Sequence, residues 1–185
     1  MWQVLYEELK SKGFVVITVA LESRGVEAAR PSIENAKPTY PCLIDVDHVV
    51  ARLYNMVNVP QAVWIDERGQ IVRPTEIAGV TDGFRKMDTT TYAIPKLELD
   101  EMTAARRRYL DSIRDWVTHG ADSKYVFDAA DARRRTPKFT PAVARAHATF
   151  RLGRYLVEQG RRDEGLRVLA SAARLNPDAW TMWRQ

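Results

Sequence analysis

The sequence is poor in cysteine and histidine and has no long apolar run. Its one cysteine, Cys42, excludes a disulfide within the chain. The three histidines, His48, His119 and His147, form no H-x-x-x-H spacing, and no C-x-x-C is present, which excludes the common zinc patterns. There is no Gly-rich phosphate loop and no G-x-S-x-G. No apolar stretch approaches the ~18–20 residues that span a bilayer. Met1-Trp2-Gln3-Val4 lacks the basic region and apolar stretch of a signal peptide. The expected compartment is therefore the cytoplasm as written, or an extracytoplasmic one if a signal lies upstream.

What is present describes a folded α/β protein. Hydrophobic residues make up 45% and charged residues 28% of 185, a balance that argues against disorder. The net charge of +4 comes with arginine clusters at 106–108, 133–135 and 161–162. Each lies in a helical stretch with an acidic neighbour (Asp111, Asp131, Asp163), so solvated helix faces are expected and no nucleic-acid partner.

Trp2, Leu5, Tyr6 and Leu9 predict a first helix that stops at Gly13. The run 14–21 reads as a strand buried on both faces. A helix follows within 26–36, with Pro31 in its first turn or kinking it. A short strand covers 40–44, and Asp47 caps a helix over 48–55 that turns Val49, Val50, Leu53 and Tyr54 inward. Residues 61–65 and 70–78 form a hairpin about Asp66-Glu67-Arg68-Gly69. A surface loop is expected over 79–98, then a helix capped by Asp100 that buries Met102, Tyr109, Ile113 and Trp116. Helices over 122–134, 140–159 and 161–175 complete the reading.

From Gly13 to Gly79 the sequence resembles the TlpA/ResA group of thioredoxin-like proteins, related to the redoxin (AhpC/TSA) superfamily. The resemblance rests on Gly13–Ser23, Tyr40-Pro41-Cys42-Leu43-Ile44-Asp45, and Val59-Pro60-Gln61-Ala62-Val63-Trp64-Ile65-Asp66 with Gly69. It implies a thiol–disulfide oxidoreductase acting on protein or small thiol substrates, with no cofactor. Val59 and Pro60 match the substrate-binding cis-proline loop. Glu22 matches a carboxylate that tunes the thiols and relays protons from beside the cysteine pair. The family's WCxxC and the strand leading to it, which would precede the first helix, are missing from this chain. In the family that strand lies between those matching 14–21 and 61–65. Its loss leaves two rows of backbone groups unpaired, at roughly 1–3 kcal/mol for each one buried and unsatisfied. An N-terminally truncated chain is the expected explanation. Direct pairing of the flanking strands, or a strand from another copy in a homo-oligomer, would also fill the gap.

The last third resembles a tetratricopeptide (TPR) unit. Placing Pro177 at that repeat's terminal proline puts Leu152-Gly153 at its Leu-Gly, Gly160 at its turn, Ala172 at its late small residue and Trp183 in a following repeat. Leu156 and Gly165 depart from the pattern. One unit cannot bury its own face, so this segment is expected to pack on helices 100–134 or on a protein partner. The expected domains are a thioredoxin-like 1–119 and a helical 120–185. A non-catalytic protein-binding module is the alternative function.

Two further candidates are weighed on chemistry. Cys42 as a one-cysteine peroxidase nucleophile would want an electropositive helix start; it follows Pro41 in an apolar strand, which suits a buried, inert thiol. Asp45, Asp47 and His48 could ligate a metal, but helix capping accounts for the aspartates and no metal is expected.

Overall fold

The structure, a computed structural model, describes residues 1–184. In chain order it contains α1 (Trp2–Leu9), β1 (Thr18–Ala20), α2 (Val26–Ala36), β2 (Cys42–Ile44), α3 (Val49–Leu53), β3 (Gln61–Ile65), β4 (Ile71–Ile77), α4 (Lys96–His119), α5 (Ala129–Arg135), α6 (Pro141–Glu158), α7 (Arg162–Leu175) and α8 (Trp180–Trp183). The class is mixed α/β, with only two small sheets. No helix among the described residues is long and apolar enough to cross a membrane.

The elements gather into two compact units interleaved along the chain. One comprises residues 1–15 and 60–135, the other 16–59 and 136–185. This division cuts across a linear boundary at 119/120. The helical tail shares its unit with β1, α2, β2 and α3.

In the first unit, helical spacing turns Leu5 and Leu9 of α1 inward, and Gly13 follows with φ 81°. They join Trp64, Ala78, Tyr109 and Ile113 in one apolar core. Arg114 on α4 clasps Glu8 on α1 through two parallel bonds of 2.8 Å. β3 and β4 form the expected antiparallel hairpin. Pro74 falls where the register slips between Trp64↔Arg73 and Ala62↔Glu76, a bulge that excuses its missing N–H. Helix α4 begins at Lys96 after an N-capping Pro95, so Asp100 is interior to it and not its cap. The preceding loop is tied down by Lys86, which pairs with the buried carboxylate of Glu98. The helix expected over 122–134 forms only over Ala129–Arg135. Upstream of it the Phe127 N–H bonds to Val72 O at 2.8 Å, which holds that stretch against β4. The arginines at 106–108 and 133–135 are exposed.

In the second unit, β1 pairs in parallel with β2, Thr18 opposite Cys42 and Ala20 opposite Ile44. The expected strand over 14–21 shortens to three residues and is not buried on both faces. Val15 and Ile17 are 60% and 59% exposed, while Val16 between them is 7% exposed. The physical reason is that, among the described residues, β1 has a neighbour on one side only. β3 likewise pairs only with β4. Pro31 lies at the sixth residue of α2, past the first turn.

Asp45, not Asp47, caps α3. Its carboxylate accepts the N–H groups of Val49 (2.7 Å), Val50 (2.8 Å) and Ala51 (3.2 Å). Asp47 instead receives Arg154 of α6 at 3.1 Å. The helix is also rotated from expectation: Ala51 is buried, whereas Val49 and Leu53 are exposed. Replacing Asp45 by alanine strands three helix-start donors, so unfolding of D45A in urea is expected to show a loss of about 2 kcal/mol. D47A should lose well under half of that.

The α6–α7 hairpin turns at Gly160, with φ 77°. Gly153 and Gly165 let the two helices approach closely. A Cβ on Gly165 would stand 2.8 Å from the Gly153 carbonyl oxygen. The hairpin packs within its own unit. Phe150 meets the His48 ring at 5.2 Å, and Arg154 donates to the Val46 carbonyl. Val57 packs against the core that the hairpin and α8 form from Ala146, Phe150, Ala172, Ala179 and Met182.

Candidate functional site

A groove of about 720 Å³ opens in the second unit, lined by Val19–Arg24, Asn58, Val59, Trp180, Thr181 and Arg184. It lies at the carboxyl end of β1, where parallel strands release their chain toward a helix and ligands are commonly received. The floor follows from the parallel ladder. The Thr18 N–H bonds to Pro41 O (3.0 Å), and the Ala20 carbonyl accepts from Asp45 N–H (2.8 Å). Alternation then turns the N–H and C=O of Val19 to the opposite edge.

Two residues singled out in the sequence, Glu22 and Val59, line this groove together. Pro60 is exposed and belongs to the first unit, at the mouth of β3, where its carbonyl accepts from Ala78 N–H at 3.1 Å. Glu22 is not set up as a proton relay. Arg24 holds its carboxylate through Nε (2.8 Å), Nη2 (2.9 Å) and its backbone N–H (3.0 Å). Those bonds draw the Glu22 pKa down to about 2. Near neutral pH it is a fixed anion carrying its own counterion.

Behind Ser23 the ring of buried His48 lies with Nε2 3.2 Å from the serine oxygen. The opposite wall comes from the tail. The Thr181 N–H donates to Val57 O (3.2 Å) and its hydroxyl to Met56 O (3.4 Å), while Met182 and Ala179 are buried beneath. This anchoring presents Trp180 and Arg184 to the groove. The sequence reading missed that wall, because no local pattern links 180–184 to 56–59. The only sign was an arginine and two tryptophans crowded at the end of the tail.

Cys42 stands on β2 and is not among the lining residues. It is half-buried rather than buried, and the Thr18 hydroxyl donates to its sulfur at 3.0 Å. Among the described residues no group of three His, Cys, Asp or Glu side chains could hold a metal ion. Asp45 is spent on α3, Asp47 on Arg154, and His48 faces Ser23.

His147, on α6, has its Nε2 buried without a hydrogen-bond partner among the described residues and stacks on Phe139 at 5.7 Å. Burial first, then the positive charge of Arg52 and the neighbouring His48, lowers its pKa below the usual histidine value. The unfolded chain therefore binds this proton first. The stability due to neutral His147 is complete above about pH 6.5 and falls as pH drops toward the lowered folded value. The melting temperature should drop between neutral pH and about pH 5, and by less in H147F, which keeps the stack but cannot titrate.

No protein-family model, curated protein or solved structure matches this chain.

Proposed function

We propose that this chain is the scaffold of a thioredoxin-like thiol–disulfide oxidoreductase of the TlpA/ResA type, whose cysteine pair lies in a segment outside these residues. One observation carries the reading. Glu22 and Val59, assigned separately to the surroundings of an exchange site, line a single groove at the end of β1. The free edge of β1 supports it too, because a strand laid there would satisfy Val19 and deliver a following CxxC to the groove.

In the exchange, a thiolate attacks one sulfur of the substrate disulfide and expels the other as a thiolate. The second cysteine then attacks the mixed disulfide, releasing the reduced substrate and leaving the enzyme oxidised. The Glu22 carboxylate, neutralised by Arg24, neither takes the proton nor strongly opposes the thiolate.

Intact-mass analysis and peptide mapping of the native protein test this. The expected result is an added segment containing CxxC, with disulfide reductase activity that alkylation abolishes. A native mass matching these 185 residues alone overturns it.

A second reading is favoured by the tail wall. Trp180, Thr181 and Arg184 line the same groove, and the only cysteine does not. In that reading the groove is a non-catalytic binding site for a partner polypeptide.

A further inference from the structure

The tail is held against 56–57 by both the backbone and the side chain of Thr181, so Trp180 and Arg184 are fixed relative to Val59. Trp180 is 50% exposed. Its indole N–H has no partner among the described residues, whereas that of Trp183 is spent on Pro177 O at 3.1 Å. Arg184 also has no carboxylate partner among the described residues, while Arg24, the other guanidinium of the groove, is neutralised by Glu22. Among the described residues the groove therefore offers one positive charge without a paired carboxylate, beside an exposed aromatic face.

The remaining wall carries a backbone donor with a stand-in acceptor. The Val59 N–H bonds to Oδ1 of Asn58, the preceding residue, at 2.8 Å. An amide oxygen in that place is chemically the carbonyl of an incoming peptide. A thiol without an amide carbonyl leaves this donor unused; an extended polypeptide can take it up, as in strand addition.

We propose that this groove selects acidic polypeptide, with a partner carbonyl replacing the Asn58 amide on Val59 N–H and a partner carboxylate paired to Arg184 beside Trp180. The inference rests on the exchange-site reading of the groove and names its substrate class. Arginine suits the task because its planar fork binds a carboxylate through two bonds.

The test uses the 185-residue chain and fluorescence anisotropy at low salt. The probes are two sets of fluorescein-labelled, alternating Val/Thr peptides, one carrying Asp or Glu at a single scanned position and the other Lys or Arg. The acidic set is expected to bind about tenfold more tightly than the basic set, with a preference that fades as salt is raised. R184E should abolish or reverse the preference, and R184Q should remove it without reversal. W180A should weaken binding about fivefold. N58A, which frees the Val59 donor, should tighten it about threefold. Binding of neither set, or an acidic preference that survives both R184E and R184Q, overturns the proposal. Circular dichroism of each variant checks that it is folded. No redox step enters the readout, so a missing cysteine pair in the native protein and a missing peptide preference are separate outcomes.

Discussion

Truncating Trp64 to alanine is expected to cost the first unit about 4 kcal/mol, enough to unfold a domain of ordinary stability in part at physiological temperature. The indole is 4% exposed and lies at the centre of the core of that unit. It stacks on Trp116 at 5.0 Å and 15°, and meets Tyr109 edge-on at 6.0 Å. The Arg73 guanidinium also lies over the ring, 5.1 Å from its centroid. Its Nε1–H donates to the Tyr109 hydroxyl at 2.9 Å, a bond made inside the core. The cavity left by W64A exposes that hydroxyl and removes its donor. Burial also pushes the Tyr109 pKa up to about 12, so the accepting hydroxyl stays neutral and the bond does not vary across the ordinary pH range. W64F refills most of the volume but not the donor, and should recover about half of the loss. Urea unfolding followed by hydrogen exchange measures both. Deprotection confined to 16–59 and 136–185 would contradict this assignment.

The second large effect is expected from Gly165. A Cβ there would meet Val157 Cγ2 at 2.6 Å, the Gly153 carbonyl oxygen at 2.8 Å and the Val157 nitrogen at 2.9 Å. Two of these are backbone atoms, so relief requires α6 and α7 to move apart. That separation thins the core formed by Ala146, Phe150, Ala172, Ala179 and Met182. G165V should lose about 3 kcal/mol. G165A is the sharper test, because helix propensity alone would reward it by about 1 kcal/mol. A net loss in G165A shows that helix approach dominates, and an unchanged or raised stability refutes the packing argument. Since α8 follows α7 closely, both variants should also loosen the wall formed by Trp180 and Arg184.

The elements that sequence periodicity revealed are those whose burial is decided locally. Leu5 and Leu9 of α1, the 61–77 hairpin about Gly69, and the α6–α7 pair about Gly160 are of this kind. The departures arise where a distant partner decides. Asp45 outreaches Asp47 as a cap because His48 takes a left-handed conformation that folds the chain back over the Asp45 carboxylate. Lys96–Glu101 is helical partly because Lys86, from a separate turn, neutralises Glu98. In the groove, Glu22 and Val59 were legible only through a family resemblance, and Trp180 and Arg184 not at all. Their placement depends on two hydrogen bonds between Thr181 and 56–57, set by packing of chain segments far apart in sequence.

The interleaving of the two units bears on how the protein is made. The segment 16–59 leaves the ribosome before 60–135, yet the helices that complete its core follow only after all of 60–135. Synthesis at roughly 5–20 residues per second leaves β1, β2 and α3 without that cover for several seconds. During this interval the other unit has all its parts and can fold first. A nascent chain stalled before α6 should therefore carry one protected half and one half that is sensitive to protease and attractive to chaperones. Release of the tail would close the core and build the groove in the same step.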